Sequence, residues 1–225
     1  MGIRSELETS VKKIFSDQWT IRDGTVVPDD DSVTLGNDGV NIAATVLYAD
    51  LSDSTGLVDK KVAWFAADVY KSYLLCAAKI IRAEGGVITA FDGDRVMAIY
   101  IGDRKNSKAV RTALKLNWAV EHIINPAVEH RFGVGTYTVE QVVGIDTSSL
   151  LAAKTGIRNA NDLVWVGRAA NHAAKLCGRK GFTTFATTSV YNSLPSDLKI
   201  SVGKNIWTYS GGKDVVGTNY WMPLT

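Results

Sequence analysis

Cysteine is scarce: the 225 residues hold two, Cys76 and Cys177, far apart and both in helix-like segments. That excludes a disulfide framework and a paired-thiolate metal site. Buried free thiols in a cytoplasmic protein are the expectation. No charge sign dominates, since 25 basic residues against 23 acidic ones leave a net charge of +2. Broad nucleic-acid binding through a basic face is therefore not expected, although a few local charges would suffice for a small anionic ligand. No apolar run approaches the ~20 residues a membrane helix needs. The opening MGIRSELETSVKK has neither a signal core nor transit-peptide composition. Glu6 stands where a myristoylation signal requires Ser or Thr. Internal repeats and low-complexity tracts are also missing.

Hydrophobic residues make up 46% and charged residues 21% of the chain, which suits one globular domain with a sizeable core. Residues 3–15 read as a short amphipathic helix. Residues 21–41 are rich in turn formers and acids and read as an irregular arm. From Ile42 the texture changes, so residues 1–41 are taken as helix and arm and 42–225 as the main domain. IAATVLYADL is an apolar, β-branched core strand. SDST then opens a long helix, about 57–84, which Gly85-Gly86 ends. ITAFDGDRVMAIY is a hairpin with Asp92-Gly93 at its turn and Asp94 heading the second strand. A helix over 106–124 follows, with Pro126 just beyond it. HRFGVGTYTVEQVVGI is strand-like, 147–156 helix-like, NDLVWVG a strand, and RAANHAAKLCG a helix that Gly178 stops. TTFAT is a short strand, and a C-terminal hairpin closes the chain. The β-α-β-β-α-β order over 42–145 is that of a ferredoxin-like α+β core.

Asp94 is unusual, because an acid opens a buried-looking strand just after a turn that already contains one. In a ferredoxin-like sheet the strand ending at Asp50 and the strand starting near Asp94 are antiparallel neighbours. The two carboxylates can therefore share one end of the sheet. Acids that close repel each other unless a divalent cation lies between them. Magnesium favours carboxylate and phosphate oxygens, and two such ions can clamp a phosphoryl group during displacement.

VLYADLSDST, GGVITAFDGDRVMAIY, RFGVGTYTVEQVVG and WVGRAANHAAKL follow one another in the order and spacing of the class III nucleotidyl cyclase catalytic domain. The resemblance spans roughly 42–222. It implies a ferredoxin-like core, two divalent metal ions (Mg2+ or Mn2+) on Asp50, Asp94 and the Leu51 carbonyl, and composite sites in a head-to-tail homodimer. The implied reaction is attack of a ribose 3′-hydroxyl on the α-phosphate of a nucleoside triphosphate. Backbone amides of Ser52 to Thr55, at the head of the long helix, are placed for the triphosphate. The family usually has Gly where Asp53 stands. Asn171 and Lys175 occupy the family's Asn and Arg positions, on one helix face. Lys lacks the bidentate fork of Arg, and Arg168 is a candidate substitute. Lys213 falls near the family's phosphate-binding Lys.

Purine-type members read the base with side chains at the positions of Ala90 and Val164, and neither can do so here. Tyr48, on the Asp50 face of its strand, and Trp165 could fill the space a smaller base leaves. The lost purine residues, the short build and the LYADLSDST wording resemble the Pycsar pyrimidine cyclases. These make cyclic UMP or cyclic CMP for a separate effector in bacterial anti-phage defence. UTP is therefore the expected substrate, with CTP as the alternative. A catalytically silent nucleotide-binding regulator is a second alternative. An RNA-binding ferredoxin-like domain fits poorly, because VMAIY carries only a terminal aromatic.

Overall fold

The computed structural model describes residues 2–211 and 214–224. The elements are α1 (Ile3–Ser16), β1 (Thr20–Asp23), β2 (Asp38–Leu51), α2 (Ser54–Lys60), α3 (Ala63–Ala83), β3 (Val87–Asp92), β4 (Arg95–Ile101), α4 (Lys105–Ala119), α5 (Asn125–Phe132), β5 (Gln141–Ile157), β6 (Ala160–Val166), α6 (Arg168–Cys177), β7 (Thr184–Thr187), α7 (Thr188–Asn192), and the short strands β8 (Ile200–Ser201), β9 (Lys204–Asn205), β10 (Thr208–Tyr209) and β11 (Val215–Thr218). One mixed sheet runs β10-β11-β7-β5-β2-β4-β3, with β1 and β6 added beside β2 and β5. Its β5-β2-β4-β3 centre is antiparallel throughout and has the expected ferredoxin-like order.

Both faces of β2 are covered, which is why it reads as an unbroken apolar run. Leu47, Ala49 and Leu51 join the main core with Phe65, Tyr73 and Ala77 of α3 and Val110 and Leu114 of α4. Val40, Ile42, Ala44 and Val46 point the other way, against Ala169, Ala170 and Ala173 of α6. The buried residues of α3 recur every three or four positions, one face of a helix. By contrast, Ile3, Leu7, Val11 and Ile14 share a face of α1 and all are exposed.

Several expectations need correction. The arm at 21–41 is partly regular: β1 runs parallel to β2, and β2 itself begins at Asp38. The helix expected over 57–84 is two, because Lys61 and Val62 are extended and the Lys61 ammonium reaches the Thr136 carbonyl at 2.9 Å. The next helix continues past Pro126. A π-turn over Val120–Ile124 shifts the bonding to i→i−5, and Pro126 then falls in the first turn of α5, where a missing N–H costs little. Residues 130–140 are the end of α5 and a loop, so the strand starts only at Gln141. Residues 147–156 lie within β5, paired with β2 on one side and β6 on the other. Among the described residues no helix is long and apolar enough to cross a membrane.

Candidate active site

The β3–β4 hairpin pairs Asp92 with Arg95, so the loop is Gly93–Asp94 and not Asp92–Gly93. Gly93 has φ +60, and a glycine at the first central position is the mark of a II′ turn. Asp94 thus stands in the loop, one residue ahead of the strand it was expected to open. Ala49 pairs with Val96, which brings Asp50 beside Arg95. The Arg95 Nε donates to Asp50 Oδ2 at 3.2 Å. Asp94 Oδ2 is buried and has no hydrogen-bond partner among the described residues. Burial raises the Asp50 carboxyl pKa above its ordinary value; Arg95 opposes the rise and the Asp94 charge adds to it. Asp50 and Asp94 therefore lie in one field. A buried carboxylate oxygen with no donor, next to a second desolvated carboxylate, fits a bound cation. Among the described residues no group of three or more His, Cys, Asp or Glu is arranged around a metal. Two aspartates and a backbone carbonyl would not form such a group. Leu51 buries its side chain in the main core, leaving only its backbone to serve the site.

Beyond Leu51 the chain turns into α2. The Ser52 amide is already used by the Glu140 carbonyl at 2.9 Å. Asp53 holds the N-cap position in the left-handed region (φ 53) without a side-chain cap bond. Its carboxylate folds over Gly56, where a Cβ would collide with it. Ser54 and Thr55 form the first turn of α2.

Tyr48, Met97 and Ala90 form one cross-strand row on the Asp50 face. Tyr48 is half-buried, and the Arg95 guanidinium carbon lies 6.0 Å from its ring centroid. Burial is the main cause that raises the Tyr48 phenol pKa. Val164 pairs with Ala153, which pairs with Gly39, so Val164 and Trp165 flank the opposite end of β2 from Asp50. At ~3.3 Å per residue the stretch from Gly39 to Asp50 spans ~36 Å. The Trp165 indole nitrogen is buried with no partner among the described residues. Asn171 and Lys175 project together from the exposed face of α6. Arg168 donates to the Thr147 carbonyl at 2.7 Å and lies 3.6 Å from Asp146, so it is engaged in packing α6 onto β5. Lys213 lies outside the described residues.

No family model matches the chain. A uridylate cyclase from Xanthomonas perforans is 52% identical over 208 residues, covering 92% of this chain and 90% of that protein. One from Burkholderia cepacia is 46% identical and covers 92% and 91%. The chain belongs to the uridylate cyclase family. Among solved structures, the guanylyl cyclase Cya2 superposes with a TM-score of 0.66 at 20% identity, over 80% of this chain and 92% of that one. A bacterial light-regulated adenylyl cyclase gives 0.64 at 19%, over 80% and 91%. These likenesses show that the uridylate cyclase chain has the class III cyclase fold.

Two features of this uridylate cyclase family member lie outside the expected site residues. Arg95 is one, and its place directly after Asp94 is the sequence signal for it. Asp146 is fully buried. It accepts from Thr187 Oγ1 at 2.6 Å and from the Thr147 amide at 2.8 Å, and His172 Nδ1 lies 3.4 Å away. A lone acid inside the apolar run VVGIDTSS was the available clue.

Proposed function

We propose that the chain converts UTP to 3′,5′-cyclic UMP and pyrophosphate. The bond from the ribose 3′ oxygen to the α-phosphorus forms as the bridge to the β-phosphate breaks, and the hydroxyl proton is lost. The observation that carries this reading is the meeting of Asp50 and Asp94 at one sheet end, with a buried Asp94 oxygen left for a cation. In this reading Asp50, Asp94 and the Leu51 carbonyl hold two divalent ions, Mg2+ or Mn2+. When bound, the ions supply positive charge to the entering and leaving oxygens.

The chain's own residues supply binding and orientation. Asn171 orients the ribose, and Lys175 neutralises charge developing on the phosphates. Ser54 and Thr55 line the triphosphate, with Lys213 as a further phosphate contact. Arg168 is a weaker candidate than Lys175 because the Thr147 carbonyl and Asp146 already occupy it. Tyr48 stands in the row with Ala90, so aromatic bulk replaces a purine-reading side chain. Val164 and Trp165 belong to the base pocket of the neighbouring chain. The separation of these groups along β2 supports a head-to-tail homodimer whose sites each take residues from two chains. Residues 42–225 would form the catalytic domain, with 1–41 as its helix and arm. The names of the relatives support uracil as the base. The resemblance to the Pycsar cyclases supports a cytoplasmic signal synthase that acts on a separate effector in anti-phage defence.

The test is incubation of the purified chain with ATP, GTP, CTP or UTP and Mn2+, with products identified by mass. Cyclic UMP is expected. Cyclic CMP would change the base and keep the mechanism. Cyclic AMP or GMP would overturn the reading of Ala90 and Val164. No product from a folded dimer would favour a silent regulator, the reading to which Lys175 in place of Arg lends weight.

A further inference from the structure

We propose that Arg95 is a built-in counter-ion of Asp50, which holds that carboxylate until a divalent cation displaces it and so limits how tightly the metal binds. This rests on the reading of Asp50 and Asp94 as metal ligands.

The two acids are treated unequally. Asp50, its side chain 18% exposed, has Arg95, 38% exposed, at 3.2 Å. Asp94 Oδ2 has no partner among the described residues. One guanidinium therefore neutralises half of an anionic site. Strand register fixes it there, because Arg95 immediately precedes the Val96 that pairs with Ala49, and it cannot drift along the sheet. A metal on the same Asp50 oxygen would face a full positive charge within a few ångströms, so the guanidinium must give way. One other carboxylate lies beside it: Asp92, its own hairpin partner, is exposed and could take the guanidinium when Asp50 releases it. The Tyr48 ring is 6.0 Å from the guanidinium carbon while Arg95 holds Asp50, and its cation–π face stays next to the side chain. Arg95 thus closes the Asp50 carboxylate in this structure and has an exposed acid beside it to receive the displaced charge. In the metal-free protein it also offsets the cost of burying Asp50 beside Asp94.

The experiment is Mn2+ binding without nucleotide, read by electron paramagnetic resonance of free Mn2+. Wild type, Arg95→Gln, Arg95→Lys and Asp50→Asn are compared, with melting curves to confirm folding. Arg95→Gln should bind Mn2+ about tenfold more tightly, equivalent to ~1.4 kcal/mol. Arg95→Lys keeps the charge and should stay near wild type. Arg95→Met, which keeps an aliphatic stem beside Tyr48, should tighten binding like Arg95→Gln and serves if the glutamine variant folds poorly. Unchanged or weaker binding in the neutral variants, with binding lost in Asp50→Asn, overturns the counter-ion role alone. Mn2+ binding indifferent to Asp50→Asn removes the metal reading, and this inference with it.

Discussion

Asp94 is better suited to chemistry than to stability. Its buried Oδ2 has no donor among the described residues, and its negative charge repels that of Asp50. Removing that charge relieves the metal-free fold while depriving a cation of a ligand. Asp94→Asn is therefore expected to melt at or above the wild-type temperature without metal. Its turnover with Mn2+ should fall by ~100-fold or more, the scale on which removal of one charge-stabilising group acts. Wild-type rates in that variant would defeat the two-carboxylate site. Cys177 shows the opposite case, a residue whose chemistry is suppressed. Burial pushes its thiol pKa up to about 12, the nearby Asp50 charge adds to this, and its Sγ donates to the Tyr48 carbonyl at 3.1 Å. The folded state thus favours the neutral thiol, whereas the unfolded thiol ionises near its ordinary pKa of about 8.5–9. Stability from this group is complete below that value and is lost as pH rises from about 9 towards about 12, up to ~4 kcal/mol. Cys177→Ala should flatten the alkaline loss of stability between pH 9 and 11, measured by urea unfolding. An unchanged slope would mean that other buried groups, such as the Tyr100 phenol that burial also raises, control it.

At the scale of elements, the placement of α6 on β5 controls where Asn171 and Lys175 project. Gly144 permits this contact: a Cβ there would collide with the Ala173 carbonyl and lie 2.8 Å from Leu176 Cβ. Gly144→Ala must lift α6, at a cost of about 1–3 kcal/mol. A lower melting temperature with loss of turnover is expected; an unshifted melting temperature would show that α6 yields freely. The same contacts explain what the sequence could and could not reveal. β2 was readable because burial on both faces leaves a continuous apolar run, and the antiparallel order alone brought Asp50 towards Asp94. The second half of β5 was not, since SSLLAAK carries helix formers and only its two flanking strands hold it extended. Nothing in Lys61 or Val62 announces a helix break, because the bond from Lys61 to Thr136 is formed by a distant loop. The string DGD allows two turn registers. The choice of Gly93–Asp94 follows from pairing Phe91 with Val96, a cross-strand fact. Arg95 was hidden for the same reason, since its partner is set by that register.

At the scale of the whole molecule, one chain divides the proposed site. Asp50 and Asp94 occupy one end of β2, while Val164 and Trp165 lie beside the other end, ~36 Å away at ~3.3 Å per residue. In the proposed two-fold, head-to-tail pair the unlike ends would come together twice, and every site would take its metal ligands from one chain and its α6 and β6 residues from the other. A variant lacking Asp50 and a variant lacking Asn171 then fail in different halves. In a heterodimer one site inherits both lesions and the other inherits neither. Random exchange of equal amounts makes about half the dimers heterodimeric, each with one intact site of two, so Asp50→Ala mixed with Asn171→Ala should recover about a quarter of wild-type turnover. The check is a rate measurement on the mixture, beside native mass spectrometry to count heterodimers. Heterodimers without recovered turnover would place all the machinery in one chain. Val164 and Trp165 would then have to act, if at all, from the far end of their own sheet, where a substrate at Asp50 cannot touch them.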